Sequence, residues 1–173
     1  MLSFLAAGLL AISLSASFAA DAPAQFKVSE FTFKPPTNWH WNKVEKPMRK
    51  AQLTVGEGKE SAEVVFFSFP GNAGGTQANV DRWLAQFEED PSKLNSRTEK
   101  IGPAGKQATV VQAEGTFMAG DPGGPKTAQA GSMLLGAIMD SDEGNVYIKM
   151  TGPKKTVVAA APAFRKMIED ALR

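Results

Sequence analysis

The residues predict an α+β domain: a mainly antiparallel β-sheet flanked by two main helices, arranged as an α/β/α sandwich. Three observations carry that prediction. Residues 64–69 and 133–139 are apolar at nearly every position, which a strand tolerates only when both of its faces are covered. Two segments place apolar residues at helical i, i+3, i+4, i+7 spacing. Several shorter segments alternate apolar and polar residues, the period of a half-buried strand. With two doubly covered strands and only two helices, one helix on each face of one sheet is the economical arrangement.

The elements follow in chain order. Phe26, Val28, Phe31 and Phe33 alternate with polar residues and predict one half-buried strand, ended by Pro35 and Pro36. Residues 39–42 alternate again, as do Ala51, Leu53 and Val55 before a Gly-rich turn. These read as an antiparallel start, and residues 64–69 then give a central strand. A Gly-rich connection leads to Thr76, a plausible N-cap, and Val80, Trp83, Leu84 and Phe87 form the stripe of a helix ending near Glu88 to Pro91. After a polar stretch, residues 109–117 predict a strand with Val111, Ala113, Gly115 and Phe117 on one face. Residues 133–139 and 146–150 form a hairpin across the acidic turn 140–144. Val157, Ala161, Phe164, Ile168 and Ala171 or Leu172 then line a closing helix. Pro162 lies inside it, and an interior proline removes a backbone donor, so a kink or restart is expected at residues 160–162.

The first twenty residues hold no charged side chain, and all nineteen Lys/Arg and eighteen Asp/Glu lie beyond them. An apolar run followed by Ser17 and Ala19, small residues at the two positions a signal peptidase reads, predicts cleavage after Ala19 or Ala20. The Ser residues at 13, 15 and 17 interrupt the run before the roughly 20 apolar residues a membrane span needs. The absence of Lys or Arg before the apolar run is atypical of a signal. The division that follows is a signal peptide at 1–19, a linker at 20–25 and a single α+β domain at 26–173. The expected location is exported, periplasmic or extracellular.

With no cysteine in the chain, an exported domain is held by packing rather than by disulfides, and no lipid anchor can be attached to a cysteine. A net charge of +1 with 21% charged residues gives no electrostatic footprint for nucleic acid, and no polybasic block marks a membrane surface.

Phe33, Pro36 and Trp39 as Phe-x-x-Pro-x-x-Trp, a later strand–helix unit ending in Trp83 and Phe87, and a final helix carrying Phe164, Met167 and Ile168 resemble the PsbP-like and DcrB-like small exported or lumenal domains. The resemblance implies a sheet flanked by helices, in a family of accessory, ligand-binding or uncharacterised envelope proteins. PsbP proteins help to bind calcium and chloride in photosystem II. No ion-ligand motif matches here, so no functional residue is carried over.

The residues that could carry chemistry are few. His40 is the only histidine, so a two-histidine metal site is excluded, and without cysteine a zinc site would need three or four carboxylates. On a strand, Trp39 and Trp41 share one face and His40 points to the other; an exposed Trp41 would form a ligand-stacking pair with His40, whereas core packing explains both tryptophans. The glycines at 71, 74 and 75 match neither a P-loop nor G-x-G-x-x-G, and residues 102–107 end in Gln107 rather than the Ser/Thr of a Walker sequence. Residues 140–145 put glycine at the fifth position and Thr151 at the twelfth, which departs from a calcium loop. No Gly-x-Ser-x-Gly is present, and Glu88, Glu89 and Asp90 stand at a helix end rather than across the cleft that glycoside hydrolysis needs. Met133, Met139, Met150 and Met167 read as packing. The loop at residues 119–127 is the one irregular segment long enough to form a binding surface.

The candidate binding residues are therefore His40, Trp41 and Lys43 together with Asp121 and Lys126, with no cofactor and no metal implied. The expected function is that of a non-enzymatic accessory or binding domain with a protein or small-molecule partner. The competing expectation is a small envelope hydrolase built around His40.

Overall fold

The structure is a computed structural model, and it describes residues 20–71, 74–121 and 123–173; the signal-peptide expectation lies outside them. Ten strands and two helices follow in the order β1 (Ala20–Asp21), β2 (Phe26–Val28), β3 (Phe31–Phe33), β4 (His40–Trp41), β5 (Arg49–Val55), β6 (Ala62–Ser68), α1 (Gly75–Leu84), β7 (Asn95–Ile101), β8 (Ala108–Ala119), β9 (Thr127–Met139), β10 (Val146–Pro153) and α2 (Lys154–Ala171). Eight strands form one antiparallel sheet in the order β1-β4-β5-β6-β10-β9-β8-β7, and β2 and β3 form a separate two-stranded sheet. Ala20 and Asp21, read from sequence as linker, pair with Trp41 and His40.

The two apolar strands behave as their composition requires. Along β9, Met133, Leu135, Ala137 and Met139 enter one core, while Leu134 and Ile138 enter the other. The first core is closed by α2, whose buried line is Val157, Ala160, Phe164, Met167 and Ile168. The second is covered by α1 through Val80 and Trp83. One helix on each face of one antiparallel sheet is the predicted sandwich.

The differences have physical reasons. Residues 26–33 make a hairpin rather than one strand, because Ser29 turns the chain at φ 52° and pairs Phe26 with Phe33. Turned this way, Phe26 and Phe33 both meet Phe66, each with ring centroids 5.0 Å apart, so the hairpin caps the α2 side of the core. Helix α1 is capped by Gly74 in the left-handed region, and Thr76 falls inside its first turn. It stops at Leu84, short of Phe87. Gln86 N–H and Phe87 N–H still donate within the last turn, to Trp83 O and Leu84 O, and the backbone then takes tertiary partners: Glu88 N–H donates to Thr116 O and Met118 N–H to Gln86 O. Phe87 accordingly packs edge-on to Phe117, 5.6 Å away.

Strand β7 was a polar stretch in the sequence. Almost wholly exposed, it needs no apolar face and takes its backbone partners from β8, from Asn95 opposite Glu114 to Ile101 opposite Ala108. Helix α2 runs unbroken through Pro162. Pro162 and Val158, the residue whose carbonyl loses a donor, both lie on the wet side of the helix, where water can replace that bond.

Candidate functional site

The α1-facing side of the sheet is only half covered, and the uncovered half forms the candidate site. Alternation along β10 shows the transition: Tyr147 is buried under α1, Lys149 follows at the edge of its cover, and Thr151 opens onto solvent-accessible space. On β6, Glu63 shares that side, opposite Thr151 and Thr54. On β5 the pairing shifts between Arg49 and Ala51, leaving Lys50 without a partner. The bulge re-aims Arg49 onto the open side, since the unshifted alternation would send it with Ala51 into the α2 core.

These strands, the end of the α1 segment and the loop between β8 and β9 enclose a cleft of about 750 Å³. Its lining is polar and ionised. The Arg49 guanidinium donates to Glu63 Oε1 at 2.6 Å and to Gln52 Oε1 at 2.7 Å. Lys46, from the turn before β5, pairs with Asp121 of the β8–β9 loop. That pairing and the neighbouring cations hold the Asp121 carboxyl below the usual carboxylate range, the Lys46 hydrogen bond first among them. Lys149 donates to Gln86 Oε1 at 2.7 Å, and its ammonium lies 5.5 Å from the centre of the Phe117 ring. Burial pulls its pKa down to about 8, against the opposing pull of Glu63 and with the help of Arg49 and Lys126.

The five residues singled out from sequence do not converge. Asp121 lines the cleft. Lys126 serves the same loop from behind, donating to Gly120 O at 3.1 Å and Asp121 O at 2.7 Å. His40 is half-buried on the cleft side of the sheet, opposite Thr54, but stands one strand beyond the cleft lining. Trp41 faces the α2 core, edge-on to Phe26 at 5.0 Å, and is spent on packing. Lys43 is exposed. Among the described residues no hydrogen bond joins His40 to an acid or a hydroxyl, and no three His, Asp or Glu side chains converge as a metal site.

Sequence reasoning missed Arg49, Glu63, Gln86 and Lys149. The available signal is Lys149: a charged residue inside the otherwise apolar run 146–150, on a strand whose neighbours require both faces to be covered.

This arrangement, an antiparallel sheet with a helix on either side and one half-open face, defines a class of small α+β sandwich. Among solved structures the chain is similar to cyanobacterial PsbP from Synechocystis sp. PCC 6803, at 13% identity and a TM-score of 0.52, over 91% of this chain and 95% of that one. It is also similar to PA94, a Pseudomonas aeruginosa protein of unknown function, at 12% identity and a TM-score of 0.45, over 84% and 92% of the two chains. No protein-family model and no curated protein sequence matches it. The fold is thus PsbP-like. No helix among the described residues is long and apolar enough to cross a membrane.

Proposed function

We propose that this chain is an exported, non-enzymatic accessory domain that binds a small-molecule or protein partner in the cleft over the uncovered half of its sheet. One observation carries the reading: a sheet face that is apolar under α1 turns polar where the helix stops, and a half-enclosed cleft with Lys149 at its edge occupies that region. A face that merely touched water would not need a half-buried ammonium there. The PsbP-like fold supports an accessory role by resemblance, and the charge-free N-terminal segment with Ser17 and Ala19 supports export.

Two measurements test this. Intact mass of the protein recovered from the cell envelope is expected to correspond to a chain beginning at Ala20 or Asp21; an uncleaved cytoplasmic chain would refute export. Amide NMR shifts on adding a low-molecular-weight envelope extract, and separately its protein fraction, are expected to cluster at Arg49, Glu63, Gln129 and Thr151. Hydrolysis of an ester or peptide panel that disappears in His40→Ala would replace this reading with the hydrolase.

A further inference from the structure

We propose that Lys149 anchors an oxyanion subsite, so that the cleft takes a small polar ligand by seating its carboxylate or phosphate group on the Lys149 ammonium. The inference rests on the cleft being the ligand site and names the chemistry of what enters it.

The other cations of the cleft explain themselves. Arg49 is neutralised by Glu63 and Lys46 by Asp121, while Lys59 stands exposed at the rim. Lys149 differs. Its side chain rises from the middle of β10, between Val65 on β6 and Gly136 on β9. It ends against a neutral amide, Gln86, and an aromatic ring, Phe117, with no carboxylate at ion-pair distance among the described residues. An ammonium carries three N–H donors, and Gln86 takes one. A desolvated cation without a counter-charge is costly, and an apolar side chain of similar volume would be as stable or more so.

Nothing in the packing requires the charge, so a bound anion is its physical counterpart. Lys149 lines the cleft together with Ser132 and Thr151, which supply hydroxyls, and Gln129, which supplies an amide. A volume of about 750 Å³ is in the range of small-ligand sites.

The charges facing Lys149 set the pH behaviour. Glu63 from β6 favours its protonated form, but Glu63 is shared with Arg49; Arg49 from β5 and Lys126 from the segment before β9 oppose it; Gln86 and Phe117, on the α1 side, carry no charge. An oxyanion seated on the ammonium restores what burial removed and raises the Lys149 pKa from about 8. Above about pH 8 binding therefore takes up a proton. Affinity falls about tenfold for each pH unit above the free value.

The test is a titration of the ¹⁵N-labelled chain, as isolated, with succinate, glycerol 3-phosphate and, as neutral control, glycerol, following the Lys149 Nζ resonance. At least one oxyanion is expected to move that resonance and raise its midpoint by about one unit or more, and glycerol to do neither. A response to succinate alone assigns a carboxylate, and one to glycerol 3-phosphate alone a phosphate. In Lys149→Met, whose thermal midpoint should equal or exceed the parent's, the dissociation constant should rise at least tenfold; Lys93→Met, outside the cleft lining, should change it less than twofold. No response to either oxyanion, or an equal affinity in Lys149→Met, overturns the proposal. If cleft amides respond to the envelope extract while both oxyanions fail, the subsite is wrong and the cleft's binding role survives; if they respond to neither, both fall.

Discussion

The two faces of the sheet are built from the same strands yet follow different rules. On the α2 side, Val146, Ile148 and Met150 of β10 meet Val64 and Phe66 of β6 and Leu53 of β5, all essentially inaccessible to solvent, under a helix and an aromatic hairpin. On the other side, the intervening residues run from Tyr147 to Lys149 to Thr151 within one strand. Where a helix covers the sheet, apolar burial at about 25 cal/mol per Å² selects the residues; where the cover ends, that selection relaxes and polar groups accumulate. The closed face holds the molecule together. The half-open face carries the polar and ionised groups of the cleft.

The sharpest way to break this contrast is to remove a side chain from the closed face. Phe164 is fully buried on α2, so Phe164→Ala should cost about 3–5 kcal/mol, read as a fall in the urea midpoint. A loss below about 1 kcal/mol would mean that α2 is not the main seal of that core.

The covered half of the other face is tested at Gly136, where the Trp83 ring of α1 lies directly on the strand and a β-carbon would run into it. Gly136→Ala should displace the indole and cost about 1–3 kcal/mol through overpacking, with a change in Trp83 fluorescence. An unchanged spectrum would show that α1 is docked by other contacts.

Lys149 sharpens the comparison at the boundary between the halves. Its folded pKa, about 8, lies below the value near 10.5 of an unfolded lysine, so the unfolded chain binds more protons between those limits. Stability should accordingly rise with pH from about 8 to 9.5, and the rise should be absent from Lys149→Met. The window stops short of 10 because Tyr147, whose pKa burial raises, acts in the opposite direction there. Equal slopes in parent and variant would place Lys149 in water.

How much of this was legible beforehand follows from where apolar periodicity is strong. The doubly covered strands, the hairpin at 140–144 and both helices announce themselves because burial on two faces or one stripe leaves a compositional trace. Strand β7 left none, since an edge strand can be polar throughout, and the turn at Ser29 was hidden because a hairpin preserves the same alternation on both sides. The sequence pattern overruns the end of α1 because Phe87 continues the helical stripe while its backbone neighbours pair with β8. The site was less legible still. Asp121, which lines the cleft, stands out in the sequence through its loop, but Arg49 reaches the cleft only by way of a bulge, and Glu63 and Gln86 join it through pairings distant in sequence. His40 and Trp41 drew notice as rare residue types, which is a weaker signal than a charge inside an apolar strand.

The smallest expected effect concerns the clasp that ends the covered half. Both carboxylate oxygens of Glu89 accept the Thr116 N–H at 2.9 Å, and they fit only because Gly115 beneath them has no side chain. The clasp tethers the segment that follows α1 to the bulged part of β8, and so fixes Phe87 against Phe117 and, one residue earlier, the Gln86 amide that meets Lys149. The Thr116 backbone hydrogen bond holds the Glu89 carboxyl below its ordinary value of 4.5. A carboxyl with a depressed folded pKa contributes stability that is present above that value and is lost as pH falls through the folded one. The urea midpoint of the parent should therefore drop more steeply below pH 4.5 than that of Glu89→Gln, which has no charge to lose. If the clasp also sets the wall of the cleft, Glu89→Gln should shift the Lys149 Nζ resonance at neutral pH, where both proteins remain folded; a resonance that stays in place would confine Glu89 to stabilising β8.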